Sequence, residues 1–223
     1  MPLHTENDTD RSSGAGTANE QVRKVIEDWA LYRDSAQWEK FATVWHADGW
    51  MTATWFQGHF TEFIEVSRAA FDRGGQILHF LGGFTCEFAG DRAIAQTKMK
   101  IEQRAQVDET LVDVTCTGRF FDFLERCDER WGIVRRQPIY ESDRMDVVDP
   151  ATTLELDAAV LESFPAGYRH LGYLQENNGY RVMRDLPGLR GTAVEVLYDE
   201  GRGWLGGSAT PGVMRRNDRE GAS

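Results

Sequence analysis

Basic residues are few in this chain of 223 amino acids, which has 25 lysines and arginines against 36 aspartates and glutamates and a formal net charge of −11. Nucleic acids and anionic membrane surfaces are bound through basic patches, so this balance argues against either as a partner. No apolar run approaches the roughly 20 residues that span a bilayer, and the polar, acidic start is unlike a secretory signal. We therefore expect a cytoplasmic protein.

Cysteine is scarce as well, with three residues, Cys86, Cys116 and Cys127, and no pair at the CxxC spacing. An odd number without that spacing argues against a disulfide framework and against a structural zinc site. Walker, HExxH and GxSxG sequences are also missing, which leaves P-loop, zinc-protease and hydrolase-elbow chemistry without support. We expect a reduced protein that uses no metal or other cofactor.

One glycine motif is present, because residues 201–206 read GRGWLG and match the pattern GxGxxG. A dinucleotide fingerprint needs a helix directly after the glycines, within a βαβ unit. Here the chain continues with Ser208, Ala209, Thr210, Pro211 and Gly212. We interpret the match as chance within a glycine-rich tail.

Composition and apolar periodicity divide the chain into four parts. Residues 1–18 have almost no apolar content and are predicted to be a disordered tail. Residues 19–148 carry the patterns of one domain, and residues 149–205 are predicted to be a helical extension that covers the core or a neighbouring subunit. Residues 206–223 are predicted to be a second disordered tail.

The domain itself is predicted to be α+β, with three helices ahead of a strand-rich half. Helical spacing indicates helices over 20–34, 38–45 and 61–71, with a strand over 50–56. Four long strands over 77–88, 93–107, 110–124 and 131–145, joined by short turns, indicate an antiparallel meander. Such an order predicts helices on one face of a curved sheet. In the extension we expect helices over 152–164 and 168–175 and a short strand over 194–198.

Two polar residues fall on strand faces that are otherwise apolar. Alternation along 93–103 places Gln103 on the buried face, and alternation along 112–124 places Asp122 among apolar side chains. A buried carboxylate is costly unless it is paired or functional. Asp122 is therefore interpreted either as the partner of a neighbouring arginine or as a site residue.

Histidine and aspartate supply the main candidates for chemistry. His79 lies in the apolar segment Leu78-His79-Phe80-Leu81-Gly82-Gly83, where a core histidine bonded to a backbone carbonyl is the simpler interpretation. Asp34 precedes the second predicted helix, and with Gln37 three residues later it has the spacing of a capping box. From spacing alone, the cap is the favoured interpretation of Asp34.

Taken together, these segments support a resemblance. The sequence Tyr32-x-Asp34-x-x-x-Trp38, then a helical hairpin, a strand and a helix, and His79 with Gly82 and Gly83 at the head of the meander resemble the nuclear-transport-factor-2-like (SnoaL-like) superfamily over about residues 19–147. In particular they resemble its scytalone dehydratase and hexachlorocyclohexane dehydrochlorinase branch. The resemblance implies a cone-shaped α+β barrel, a histidine–aspartate general base at His79 and Asp34, and a homotrimer, with a dimer as the alternative.

The chain departs from that branch around the base. The two tyrosines that hold a water against the substrate carbonyl in scytalone dehydratase fall near Arg33 and Ala53, with Tyr32 and Trp55 close by. Its second histidine falls on Gln103. The base is kept and the carbonyl-polarising groups are not, which argues against scytalone dehydration itself.

We therefore expect a cofactor-independent lyase that eliminates water, halide or formaldehyde from a small aromatic or polycyclic substrate, with His79 as base and Asp34 as its orienting partner. The net charge disfavours a strongly anionic substrate. A polyketide-cyclase-like isomerase or cyclase, an epoxide hydrolase and a non-catalytic ligand-binding protein are the alternatives. The candidates for holding the substrate are Asp122, Gln103, Tyr32, Trp55, Tyr140, Arg135, Arg136 and Phe120. Core packing of Tyr140 and surface ion pairs of the arginines are the simpler interpretations of those three.

Overall fold

A six-stranded sheet lies at the centre of the molecule, with helices on both of its faces. The structure, a computed structural model, describes residues 8–209, and it describes side chains from residue 17 onward. In chain order the elements are α1 (Asp8–Asp34), α2 (Trp38–Thr43), β1 (Trp45–Thr52), β2 (Gln57–His59), α3 (Phe60–Asp72), β3 (Gln76–Ala89), β4 (Arg92–Val107), β5 (Thr110–Cys127), β6 (Arg130–Val147), α4 (Ala158–Glu162), α5 (Arg169–Asn177) and α6 (Thr192–Leu205).

The four long strands β3 to β6 form the predicted meander, with tight turns at the predicted places. The turns need left-handed backbone, which Gly90, Asp108, Asp128 and Glu129 supply with φ values of 61°, 53°, 50° and 62°. Such turns match the right-handed twist of the strands that they join. The turns therefore set the register of each hairpin, and the α+β class with three N-terminal helices is confirmed.

The curved sheet is mixed and open, whereas the sequence indicated an antiparallel meander and the resemblance implied a cone-shaped barrel. Its strand order is β2-β1-β6-β5-β4-β3, so β2 and β3 are edges that do not pair with each other. Strand β1 lies parallel to β6. This parallel pair arises because the chain crosses to the far edge of the sheet through α3, and the meander then returns it to β1.

Two hydrophobic clusters hold the layers together. The larger one lies inside the curve of the sheet, where Trp29 of α1 packs with Phe41 and Phe120. The smaller one lies on the outer face, where Phe121 and its neighbours meet Trp204 of α6. Successive side chains of a strand point to opposite faces, so Phe120 and Phe121 belong to different clusters. Each such fully buried side chain stabilises the fold by roughly 1.5–3 kcal/mol.

The extension differs most from its predicted structure. The segment predicted as a strand over 194–198 belongs to helix α6, whose buried residues Val194, Leu197, Gly201 and Trp204 follow helical spacing. The GxGxxG match therefore starts within a helix and is no nucleotide-binding loop. The helix predicted over 152–164 is reduced to α4, which begins where the Asp157 carboxylate accepts the N–H groups of the first helical turn.

The predicted tails are also partly ordered. Helix α1 begins at Asp8, inside the segment predicted as a disordered tail, and residues 1–7 lie outside the described part. At the other end, the carbonyl of Ser208 accepts a hydrogen bond from Arg92, and residues 210–223 lie outside the described part. Within residues 8–209, no helix has the length and apolar character needed to cross a membrane.

Candidate functional site

A partly open cavity lies between α1, the inner face of the sheet and the extension. Its lining combines a ring of aromatic and aliphatic side chains with a few polar groups: Trp29, Arg33, Met51, Ala53, Thr54, Trp55, Phe63, Ile77, His79, Ile101, Gln103, Phe120, Pro138, Tyr140, Leu171 and Gln175. The open space at its centre is about 40 Å³, which is enough for one or two waters. A largely apolar pocket with a few convergent polar groups is the usual form of a small-molecule site.

His79 lines this cavity, and its partner Asp34 contacts it from outside the lining. Asp34 is the last residue of α1, and its Oδ2 accepts the backbone N–H of His79 at 2.5 Å while its Oδ1 lies 2.8 Å from Nδ1 of the same residue. Both side chains are largely buried, with 14% and 7% of their surface exposed. The capping interpretation of Asp34 is wrong, because α2 has Gln37 at its N-cap and no side-chain cap bond there.

Hydrogen bonding and burial together define the state of the His79 ring. A carboxylate can only accept, so Nδ1 carries the hydrogen and Nε2 holds the lone pair of the neutral ring. Among the described residues, none forms a hydrogen bond with Nε2. Burial lowers the pKa of His79, Asp34 opposes this, and the positive charges of Arg33 and Arg136 lower it further. The ring is therefore a neutral base with a free nitrogen at neutral pH.

Arg33 stands beside this pair at the C-terminal end of α1, where a cation suits the helix dipole. Its Nη1 donates to the carbonyl oxygen of Ile77 at 3.1 Å and lies 3.4 Å from Oδ1 of Asp34. Its Nε is buried and has no partner within the described chain. Burial lowers the pKa of Arg33, although Asp34 opposes this. In the sequence analysis, Arg33 falls near a tyrosine position of scytalone dehydratase, but no role was predicted for Arg33.

A second ion pair, between Asp122 and Arg136, lies in the core next to the cavity. Nε and Nη2 of Arg136 donate to the two carboxylate oxygens of Asp122 at 2.7 and 2.8 Å, and both side chains are fully buried. The guanidinium carbon lies 4.2 Å from the ring centre of Trp29 and 4.0 Å from that of Phe120. Burial raises the pKa of Asp122, and Arg136 opposes this. Neither residue lines the cavity, so Asp122 is here the partner of an arginine.

The wall that includes the extension carries a chain of polar side chains. The hydroxyl of Thr54 donates to Oε1 of Gln175 at 2.5 Å, and Nε2 of Gln175 donates to Oε1 of Gln103 at 3.1 Å. Burial raises the pKa of Tyr140, whose hydroxyl interacts with Thr54. Sequence reasoning found Gln103 and Tyr140 but missed Thr54 and Gln175. The usable signal was Gln175 itself, a polar residue on the apolar face of α5 beside Leu171.

Of the remaining substrate-binding candidates, Trp55 and Phe120 line the cavity, whereas Tyr32 and Arg135 do not. Arg135 lies on the outer face of the sheet, where it pairs with Glu200 of α6 at 2.7 Å. The cause is strand alternation, which turns Arg136 inward and Arg135 outward. Tyr32 is half-buried on another side of α1, with the ammonium of Lys40 5.6 Å from its ring centre.

The other histidines with described side chains serve different contacts. His46 lies in β1, and His59 accepts the N–H of Thr61 as the N-cap of α3. His170 of α5 repeats the contact pattern of His79, because Asp143 accepts its backbone N–H at 2.6 Å and lies 2.9 Å from its Nδ1. His170 is not among the residues that line the cavity.

One group among the described residues has the composition of a metal site. His46, Glu125 and Cys127 bring their ligand atoms within 4.8 Å of one another. Nδ1 of His46, however, accepts the backbone N–H of Asp48 at 3.1 Å. The hydrogen of the neutral ring is then on Nε2, the nitrogen that faces Cys127, so this tautomer does not offer a lone pair to a metal there.

Comparison with known proteins gives a consistent result. Residues 16–137 match the model of the SnoaL-like domain family. A PEP2-like protein of Fusarium vanettenii is 35% identical over 198 residues, which cover 84% of this chain and 85% of that protein. Pea pathogenicity protein 2 of the same fungus is 33% identical, with the same coverage of both chains.

Two solved structures share the fold. A provisionally named scytalone dehydratase from Novosphingobium aromaticivorans aligns with a TM-score of 0.51 at 14% identity and covers 65% of this chain and 99% of its own. The structure of LinA aligns with a TM-score of 0.51 at 14% identity and covers 67% and 99%. At this identity the likeness is one of fold.

Proposed function

The chain belongs to the SnoaL-like domain family, and we propose that it is a cofactor-independent lyase in which His79 is the general base and Asp34 its orienting partner. The observation that carries this proposal is the double contact of Asp34 with His79, a residue that lines a largely aromatic and aliphatic cavity. A base with a lone pair on Nε2, and with no partner for it among the described residues, is free to take a proton from a bound molecule.

The contact with Asp34 supplies the physical logic of the base. The carboxylate holds the ring in one tautomer and one orientation, and it stabilises the imidazolium that forms when Nε2 takes a proton. General acid–base catalysis by a positioned side chain contributes about 10²–10⁴-fold in rate. Because burial and the two nearby arginines lower the pKa of His79, the ring stays in its basic form throughout the neutral range.

The substrate of the proposed lyase is a small aromatic or polycyclic molecule, and the leaving group is water, halide or formaldehyde. Aromatic side chains such as Trp29, Trp55 and Phe120 line the cavity and suit such a molecule. The open space of about 40 Å³ is far below the roughly 300–1,000 Å³ of ligand pockets. Binding therefore requires the cavity to widen. We propose that α5, which contributes Leu171 and Gln175 to the lining, is the element that moves.

The test is an elimination assay on a panel of three compound types: a bicyclic β-hydroxy ketone, a chlorinated cyclohexane and a diaryl propanoid that can release formaldehyde. Any activity is then compared in His79→Ala, Asp34→Asn and His170→Gln. His170 is a matched control, because it has the same contacts with an aspartate but lies outside the cavity. The proposal expects losses in the first two variants only; activity that survives His79→Ala unaltered would remove it.

Two alternatives are less well supported. An epoxide hydrolase of this fold would use an Asp–Arg–Asp set, and the Asp122–Arg136 pair does not line the cavity. A non-catalytic ligand-binding role would be favoured if Asp34 and His79 were out of reach or had no cavity beside them. Their 2.8 Å contact on the cavity wall supports the catalytic proposal instead.

We also propose that the protein assembles as a homotrimer, with a dimer as the alternative. This proposal comes from the resemblance to the scytalone dehydratase branch. Light scattering on the purified chain tests it, and a mass of one chain at assay concentration would contradict it.

A further inference from the structure

Arg33 is buried more deeply than its bonds explain. Only 7% of the residue is exposed, and burying a charged group is costly unless it is paired and hydrogen-bonded. A guanidinium has five N–H donors, and the described bonds all come from Nη1. Nε is buried with no partner in the described chain. The side chain thus keeps donor capacity on the wall of the cavity.

The neighbouring Asp34 carboxylate does not form a short hydrogen bond with the positively charged guanidinium of Arg33. The single contact between the two is 3.4 Å long, whereas charge-assisted N–H···O bonds are typically about 2.7–2.9 Å. Both oxygens of Asp34 are instead used by His79, at 2.5 and 2.8 Å. Asp34 therefore serves the imidazole first, and Arg33 retains a positive charge that an additional oxygen could approach.

The backbone holds Arg33 and His79 in a defined relation. Nη1 of Arg33 is bonded to the carbonyl oxygen of Ile77, two residues before His79 on the same strand. Ile77 and His79 both line the cavity, as Arg33 does. A molecule in the cavity thus has a base and a cation on neighbouring parts of one wall.

We propose that Arg33 binds the carbonyl oxygen of the substrate and stabilises the negative charge that develops there while His79 removes the proton from the adjacent carbon. This deepens the proposed function and rests on it. The proposed role of Arg33 narrows the substrate class. The substrate is an aromatic ketone, ester or quinone-like carbonyl compound whose hydroxyl or halide is on the carbon β to the carbonyl.

The chemistry balances without a cofactor. Nε2 of His79 takes the proton on the α-carbon, and the electrons of the broken C–H bond move into a C=C–O⁻ enolate whose oxygen faces Arg33. The carbonyl then re-forms, an α,β double bond is made and the bond to the leaving group breaks. Halide departs with the electron pair, or the hydroxyl departs as water with the proton from His79. Donors aimed at a developing oxyanion are among the largest contributions to catalysis.

The experiment uses 4-nitrophenol as the probe, because its phenolate resembles an enolate and its ionisation is visible by absorbance. Nitrobenzene, which lacks the phenolic oxygen, is the matched probe. In the wild-type protein we expect the phenolate to bind more tightly than the phenol, which lowers the apparent pKa of the bound probe. In Arg33→Met we expect phenolate affinity to fall about 10- to 100-fold, with nitrobenzene affinity unchanged.

Control measurements distinguish loss of the contact between Arg33 and the phenolate oxygen from general disruption of the cavity. Arg33→Lys keeps the charge, so it should keep part of the preference for the phenolate. Nitrobenzene binding reports whether the cavity of each variant is intact. If Arg33→Met does not fold, the wild-type measurement still decides: an apparent pKa of the bound probe that is unchanged or raised overturns the inference.

The outcomes also distinguish this inference from the proposed function. If elimination depends on His79 but phenolate binding does not depend on Arg33, the lyase proposal stands and the role of Arg33 is wrong. If phenolate binding depends on Arg33 and elimination survives His79→Ala, the binding role stands and the lyase proposal is wrong.

Discussion

The Asp34 carboxylate holds both the backbone and the side chain of His79, accepting the backbone N–H at 2.5 Å with Oδ2 and contacting Nδ1 at 2.8 Å with Oδ1. Strand β3 is an edge of the sheet, and edge strands present backbone groups without a strand partner. The carboxylate thus completes the edge at His79 and orients the ring with the same two atoms. The same side chain thus has a structural contact and, in the proposed mechanism, a chemical one.

Replacing Asp34 by Asn separates these two roles. The amide keeps one acceptor oxygen, so we expect stability to fall by no more than about 1–3 kcal/mol. The amide does not stabilise an imidazolium, so the rate of elimination should fall about 10²–10⁴-fold. Urea unfolding and steady-state kinetics on the same preparation measure the two effects. Equal activity in Asp34→Asn and wild type would show that the carboxylate has no part in the chemistry.

The lowered pKa of His79 predicts the direction of two pH dependences. In the proposed mechanism the free base is the active form, so the acid limb of kcat/KM should lie below the usual histidine value of about 6.5. For stability, the unfolded chain binds a proton near pH 6.5 and the folded chain binds it only at lower pH. The contribution of His79 is therefore present above about pH 6.5 and is lost as the pH falls through its folded pKa.

Unfolding free energies of wild type and His79→Gln across that pH window test the second dependence. The variant should have the flatter slope, because it lacks the group that takes up the proton on unfolding. The two proteins differ only at residue 79, so the difference between the two slopes isolates His79. Identical slopes would contradict the lowered pKa.

Two cross-strand arginine–aspartate pairs offer a matched comparison of burial. Arg136 and Asp122 are fully buried, whereas Arg104 and Asp113 are about 40% exposed and have equally short contacts. Arg136→Met leaves a buried carboxylate alone and should cost about 3–5 kcal/mol of unfolding free energy. Arg104→Met should leave stability nearly unaffected, since water screens that pair. Equal effects in urea unfolding would refute this view of the buried pair.

Gly201 and Gly203, two of the three glycines of the GxGxxG match, should respond differently to alanine. A Cβ at Gly201 would lie 2.7 Å from the ring of Phe121, so Gly201→Ala should loosen the contact of α6 with the sheet and cost about 1–3 kcal/mol. A Cβ at Gly203 would meet nothing closer than Ser208 at 3.5 Å. Gly203→Ala should therefore stabilise the helix by roughly 0.5–1 kcal/mol. Thermal unfolding measures both, and the reverse order would contradict the helical assignment of this segment.

Local sequence patterns were sufficient to predict where the strands lie, but not which strands pair with each other. The predicted strand over 110–124 lies within β5, because alternation and turn residues are encoded within the strand itself. The parallel pairing of β1 with β6 joins segments that are far apart in the chain, and no local pattern reports it. The α6 segment was mistaken for a strand because Val194, Val196 and Tyr198 are β-branched or aromatic residues, which are typical of strands.

The candidate site likewise combines features that local sequence patterns predict with features that depend on the fold. His79 was placed correctly on a strand, but the sequence around Asp34 carries the features of a helix cap. Local spacing therefore did not pair it with His79, 45 residues away, and only the family resemblance implied that pairing. Arg135 and Arg136 were offered together, because deciding which of them points inward requires the register of β6 against β5. Gln175 was missed since the extension had no known relation to the cavity.

The most direct measurement of the central claim is the exchange of deuterium into 2-tetralone, a bicyclic ketone without a leaving group, by the purified protein in heavy water. Only proton removal from carbon is needed for exchange, so product release and leaving-group chemistry do not enter. We predict exchange at the carbon next to the carbonyl above the buffer rate in wild type and in His170→Gln, and exchange at the buffer rate in His79→Ala. Equal enhancement in wild type and His79→Ala would contradict the assignment of His79 as the base.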